Sequence, residues 1–284
     1  MSPDQMEPQR LPALVEAFAQ TAGAILGLAR GCSADDLAQP TDCPGWTVHD
    51  QIAHVAGVES LLGGRKDPRI ELPPYEHIKN ELGRRVEYAV QVRRGRTGAE
   101  LVAELEDVLA ERLAMLRGQA MTDSTIIPGP FGPDKATTVL LYRIFDVWTH
   151  EQDIRVALGR PGDLDSLSAT VCVDSVLTLL PKAVAKGARI DPGHPVVLEV
   201  TGPVTAREGV LVELDDQGRA RGRAISGPER SDRALANPAT TIRLSTEALM
   251  RRAAGRRPVS ETEYHVEGDD AVARRVLEAL VLTP

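Results

Sequence analysis

Apolar residues recur at helical spacing through the first half of the chain. In LPALVEAFAQTAGAILGLAR, Leu14, Phe18, Ala22, Ile25 and Leu28 fall on one stripe, which predicts a helix over Leu11 to Arg30. Pro40, Pro44 and Gly45 then break the chain. Thr47 and Asp50 fit a variant capping box, with Asp in place of Glu at the third helical position. They predict a helix from Val48 to Leu62, ended by Gly63 and Gly64. Tyr75 to Arg93 reads as a further helix, interrupted at Gly83. Leu101, Leu105, Leu109 and Leu113 step by four through a helix over Ala99 to Arg117. A loop rich in Pro and Gly, Pro128 to Pro133, precedes a helix from Ala136 to Leu158.

Beyond Gly159-Arg160-Pro161-Gly162 the pattern changes. Helix terminators pile up there, so the expected domains are 1–160 and 161–284. A helix over Asp165 to Lys186 is followed by strand-like runs at Val196 to Val200, Gly209 to Leu214 and Thr240 to Ser245. Helices over Thr246 to Ala254 and Asp270 to Leu280 alternate with them. The expected fold class is mainly α: a helical first half, then a smaller α+β domain.

Composition narrows the function. Aromatics are 3% of the 284 residues, so the cores are built from Ala, Val, Leu and Ile. A formal net charge of −8 argues against nucleic-acid binding, and the basic cluster Arg251, Arg252, Arg256, Arg257 is short. Three cysteines without a CxxC pair exclude a disulfide framework and a thiolate zinc finger. The N-terminal MSPDQMEPQR lacks the apolar stretch of a signal peptide, and no run reads as a membrane span. A cytoplasmic protein with no membrane or nucleic-acid partner is expected, as a monomer or homodimer.

The chemistry lies in two helices. In CPGWTVHDQIAHVAGVE, His54 sits among apolar neighbours. In RIFDVWTHEQDIRVALG, Arg143, Asp146, His150 and Asp153 are three, four and three residues apart, a polar stripe on one face. A solvent face is the commoner explanation of such a stripe. However, Glu151, Gln152 and Arg155 already form a second polar patch, so one patch is expected to face solvent and the other an interior site. Asp146 and His150 can direct a carboxylate and an imidazole to one point, and His54 can supply a third ligand. Two His and one carboxylate with an open position is a catalytic set for zinc or a similar ion. A core histidine satisfied by ordinary hydrogen bonds is the competing reading.

CPGWTVHDQIAHVAG together with FDVWTHEQDIRVALGRP resembles the mycothiol-dependent maleylpyruvate isomerase family, within the DinB-like metalloenzymes. The resemblance implies an N-terminal DinB-like four-helix bundle and a C-terminal α+β module of sterol-carrier-like fold, which ATTIRLSTEALMRRAAGRR and VEGDDAVARRVLEAL resemble. It also implies a divalent metal, usually zinc, held by a histidine of the second bundle helix and an acid-x-x-x-His pair of the last. Those positions are His54, Asp146 and His150. The family's characterised isomerase has Glu where this chain has Asp146, one methylene shorter, which leaves the substrate open.

A thiol near neutral pH is mostly protonated, and coordination to a divalent cation deprotonates it. The cysteines have no evident activating neighbour, so the expected nucleophile is a small-molecule thiol, which the resemblance implies is mycothiol, and the expected partner is a small electrophile. In an isomerase the thiolate adds to an activated double bond, the adduct rotates, and elimination gives the other isomer; in an S-transferase the adduct is kept. A thiol-independent metal hydrolase and a non-enzymatic binding protein with a structural metal are the alternatives.

Around this set, Asp153 is expected to orient His150 or to pair with Arg143 or Arg155. Arg143 is expected to hold a ligand carboxylate or to be structural. Arg256, by the resemblance, would help to close the site over anionic ligands, or else face a helix dipole. Trp46 is expected to plug the bundle end rather than stack on substrate, and His49 to be exposed. His77, His194 and His265 are expected to be surface or local hydrogen-bonding residues, and Cys43 a small buried one.

Overall fold

A computed structural model of the chain describes residues 10–225 and 240–282; the polar N-terminal nonapeptide lies outside them. The chain forms two compact units, Met1–Gly162 and Asp163–Pro284.

The first unit contains α1 (Arg10–Arg30), α2 (Ala34–Leu37), α3 (Val48–Leu62), α4 (Glu81–Gln91), α5 (Gly98–Leu116) and α6 (Ala136–Ala157). Helix α1 packs on α5 and α6, and so does α3, which closes a four-helix bundle with α4 added against α3. The α1 stripe is the core: Leu14, Phe18, Ala22 and Ile25 are buried. Thr47 and Asp50 form the expected capping box, each side chain accepting the other's backbone N–H, and this sets where α3 begins. Gly57 lets α3 and α4 approach closely, since a Cβ there would lie 2.9 Å from Ala89 Cβ.

Three local expectations need correction. Helix α4 starts at Glu81 rather than near Tyr75, because the Asn80 side chain accepts from Gly83 N at 2.8 Å and caps it there; Gly83 belongs to the first turn and interrupts nothing. The short α2 follows a capping box of Ser33 and Asp36 that the apolar pattern does not mark. A two-stranded ribbon, β1 (Ile126–Ile127) against β2 (Asp134–Lys135), brackets the Pro-Gly loop and leads into α6.

The second unit opens with α7 (Leu167–Lys182), which runs into a π turn at Ala183–Gly187 instead of continuing as regular helix. Then follow β3 (Pro195–Thr201), β4 (Thr205–Leu214), β5 (Ala220–Ile225), β6 (Thr240–Leu244), α8 (Thr246–Ala253), β7 (His265–Gly268) and α9 (Asp270–Ala279). They build a sheet of order β5-β4-β3-β6-β7, parallel only between β3 and β6. β5 and β7 escape a sequence pattern because both are edge strands with mostly exposed or half-buried side chains.

Two helices, Arg10–Arg30 and Leu167–Gly187, are long and apolar enough to cross a membrane by length and composition, contrary to the reading that no run is. Their apolar positions, such as Phe18 and Ile25 on the first and Val173 and Val176 on the second, are buried within their own units, as in any core helix.

Candidate metal centre

His54 reaches the bundle interior because α3 is buried nearly all round: apolar Val48, Ile52, Val55 and Ala56 and polar Asp50 and Gln51 are all buried. Its ring retains 3% exposure, and Nε2 lies 3.0 Å from Asp146 Oδ2. His150 is one turn beyond Asp146 on α6, with Nε2 3.5 Å from the other oxygen, Oδ1. The two imidazoles meet edge to face, centroids 4.4 Å apart. One ligand atom from each of the three residues falls within 4.8 Å of the others. Asp146 is the open edge of the group, its side chain 32% exposed against 3% and 7% for the histidines.

The electrostatics suit a cation. Burial drives the His54 pKa down to about 4, Asp146 opposing and His150 and Arg143 assisting, so its imidazole is neutral near pH 7. For Asp146 burial acts upwards, but the charges of His54, Arg143 and His150 overcome it and hold the carboxyl well below the usual range. A neutral His54 imidazole and an ionised Asp146 carboxylate are the protonation states that metal ligands need. The donor set therefore fits a three-ligand site for a zinc-like ion.

The neighbours explain how the set is held. Asp153 is fully buried, its Oδ2 3.6 Å from His150 Nδ1 and 3.4 Å from Gln51 Nε2. Arg143 is buried too, donating from Nε to Glu59 Oε1 at 2.7 Å and from Nη1 to Asp146 Oδ2 at 2.6 Å. Arg155 donates from Nε to Glu151 Oε1 at 2.8 Å. Arg256 belongs to the second unit, where its Nη1 donates to the Ala254 carbonyl at 2.9 Å.

The second polar patch of α6 does not face solvent. Glu151 and Gln152 are both buried, Glu151 accepting from the Thr21 hydroxyl at 2.7 Å and from Arg155, Gln152 donating to the Gly162 carbonyl. Polar residues on α6 are therefore sorted by partner and not by exposure.

Trp46 is buried as a plug would be, but what it covers is the site itself. Its ring centroid is 5.2 Å from that of His54 and 5.7 Å from that of His150. Its Nε1 donates to Glu87 Oε2 at 2.8 Å, and the same oxygen takes His77 Nε2 at 2.8 Å. His49 is half-buried, not exposed, and its Nε2 bonds the Arg96 carbonyl at 2.9 Å. Cys43 is half-buried and is not in the metal-capable group.

Glu59 and Arg112 were not legible as site residues. Both are buried charges on otherwise apolar helix faces, the same signal that marks His54, but no motif draws attention to them.

Two histidines and a carboxylate converging in the interior of a helical bundle define a metal-capable class of bundle protein. Residues 8–155, just over half the chain, match the family model of the mycothiol maleylpyruvate isomerase N-terminal domain, and the chain belongs to that family. Two crystal structures share its fold, both of the mycothiol-dependent maleylpyruvate isomerase. One is a His-to-Ala mutant, TM-score 0.53, covering 93% of this chain and 95% of that one; the other has a TM-score of 0.52 and covers 94% and 96%. Identity to each is 17%. No curated protein matches the chain.

Proposed function

We propose that this protein is a cytoplasmic metal-dependent enzyme that uses mycothiol to isomerise a small electrophilic molecule or to form an S-conjugate with it. The observation that carries the reading is the convergence of His54, Asp146 and His150 within 4.8 Å. Membership of a family named for a mycothiol-dependent isomerase supports the thiol and the reaction type. Three free cysteines suit a reducing compartment.

His54, Asp146 and His150 would hold the ion, zinc being first choice for this donor set. Bound there, a divalent ion supplies the positive charge that keeps a thiol in its thiolate form. Arg143 keeps Asp146 ionised. Trp46 covers the imidazoles and excludes water from their faces, which leaves Asp146 as the side from which ligands enter. Asp153 holds His150 from the Nδ1 side. Arg256 remains the proposed basic contact for an anionic ligand.

The test is elemental mass spectrometry of wild type and His54→Ala, purified without an affinity metal, followed by turnover of maleylpyruvate with and without mycothiol. The expected result is about one equivalent of metal in wild type, almost none in the mutant, and turnover that needs the thiol. No metal even after incubation with zinc would overturn the metal reading. Metal with thiol-independent activity would point to a hydrolase.

A further inference from the structure

Glu59 lies on α3, five residues beyond His54, with 1% exposure. Arg143 holds one of its oxygens, Nε to Oε1 at 2.7 Å, and Arg112 of α5 approaches the other, Nε to Oε2 at 3.3 Å. The two contacts are unequal. Arg143 donates a full hydrogen bond, whereas none of the three Arg112 nitrogens has a hydrogen-bond partner, although the residue is 3% exposed. Burial lowers the Arg112 pKa, Glu59 opposing and the charge of Arg143 assisting. The far end of Arg143 donates to Asp146 at 2.6 Å. A buried chain Arg112–Glu59–Arg143–Asp146 thus joins three bundle helices and ends on a ligand of the metal proposed above.

We propose that Glu59 is a positioning residue for that metal centre: by sharing Arg143 it keeps the guanidinium from fully neutralising Asp146, and so sets how strongly the carboxylate binds a divalent ion. The argument is electrostatic and rests on the metal reading. A guanidinium on Asp146 competes with any cation for the same charge, and in a poorly solvated interior that competition is strong. With Glu59 present, Arg143 divides between two carboxylates. Without it, the whole charge falls on Asp146, and the centre carries one more uncompensated positive charge against an incoming cation. Arg112 acts the other way, since it draws on the same Glu59 carboxylate. Removing Arg112 frees Glu59 for Arg143 and deletes a buried cation near the centre. The two substitutions should therefore move metal affinity in opposite directions. A merely structural ion-pair network would lose affinity in both.

The experiment strips metal from the full chain and titrates Zn²⁺ against a chelating dye, with the Co²⁺ absorption spectrum as a readout of coordination. Glu59→Gln is expected to weaken Zn²⁺ binding about ten- to hundredfold and to perturb the Co²⁺ spectrum, the range typical of groups that orient metal ligands. Arg112→Met is expected to bind Zn²⁺ as tightly as wild type or several-fold tighter. Weakening of both, or an unchanged Glu59→Gln, overturns the proposal while leaving the metal reading intact. Failure of wild type to bind Zn²⁺ overturns both. Should Glu59→Gln not fold, Glu59→Gln/Arg112→Met removes both charges and is compared with Arg112→Met alone. Weaker binding by the double variant supports the proposal, and equal binding overturns it.

Discussion

The bundle contains two buried arginine networks built from the same residue types, and they are satisfied to different degrees. Arg93, 1% exposed, faces two carboxylates: it bonds both oxygens of Asp67, both of Glu104 and the Ala89 carbonyl, at 2.8–3.1 Å. Arg96 also pairs with Glu104, so both networks hold two guanidiniums and two carboxylates, but around Glu59 the hydrogen bonding is less complete. Two guanidiniums share Glu59 and Asp146, and Arg143 Nη2 and all three Arg112 nitrogens are buried without a hydrogen bond. Buried donors are normally paired, so the second network keeps a cost that the first does not. It keeps it beside the only metal-capable group found among the described residues. The incomplete network is the one whose end, Arg143, donates to Asp146.

The largest expected effect breaks the second network at its functional end. His150→Ala should lose essentially all bound metal, read by elemental analysis, while Arg93→Met keeps its equivalent. The order reverses for stability. Arg93→Met leaves the half-buried Asp67 without its cation and Glu104 with Arg96 alone, and should cost about 3 kcal/mol in urea denaturation. Arg112→Met removes a charge that makes no hydrogen bond, and should cost less than about 1 kcal/mol or stabilise the bundle. If the two arginines prove equally costly, the contrast between a complete and an incomplete network is wrong.

The centre also has a pH signature in the metal-free protein. The His54 pKa falls from 6.5 to about 4 on folding. Between those values the unfolded chain binds a proton that the folded protein does not, so stability must rise with pH. The contribution is complete above pH 6.5 and is lost as pH falls through the window towards 4, amounting to roughly 3 kcal/mol at most. Thermal melts of metal-free wild type and His54→Gln over pH 4–7 check this: the variant should show the shallower slope. Zn²⁺ should steepen acid destabilisation, because protonation then also releases the ion.

How much of this was legible depended on whether a signal was local. The helices of the bundle follow from apolar spacing and from Thr47 and Asp50, which act within one turn. The start of α4 was missed because Asn80 outweighs the residues before it, a competition between cap and pattern that apolar spacing does not register. The edge strands β5 and β7 were missed because solvent leaves edges without a hydrophobic pattern. His54, Asp146 and His150 could be named because each breaks the pattern of its helix and a resemblance joined the two segments. Glu59 and Arg112 break theirs as well, but only the tertiary fold puts them against Arg143. The expectation that one α6 patch faces solvent failed because a sequence shows that Glu151 is charged but not that Thr21 donates to it.

The smallest expected effect concerns Trp46, which belongs to a third network centred on Glu87. That carboxylate is 1% exposed and is met by Trp46 Nε1, His77 Nε2 and Arg94 Nη1, at 2.8, 2.8 and 2.6 Å. Trp46→Phe keeps an aromatic ring against the imidazoles and removes one of the two hydrogen bonds that Glu87 Oε2 accepts, leaving the Arg94 ion pair. With Arg94 and His77 still in place Glu87 stays compensated, so the loss should be close to that of a single hydrogen bond, about 1 kcal/mol. A melt should fall by roughly 2–4 °C, and Zn²⁺ affinity should stay within a few-fold of wild type. Trp46→Ala removes the ring as well and opens the imidazole faces, so it should weaken Zn²⁺ binding while Trp46→Phe does not. Equal metal loss in the two would mean that the Glu87 hydrogen bond, and not the aromatic cover, is what places the histidines. Glu87 would then join Glu59 as a second buried carboxylate acting on the centre from a distance.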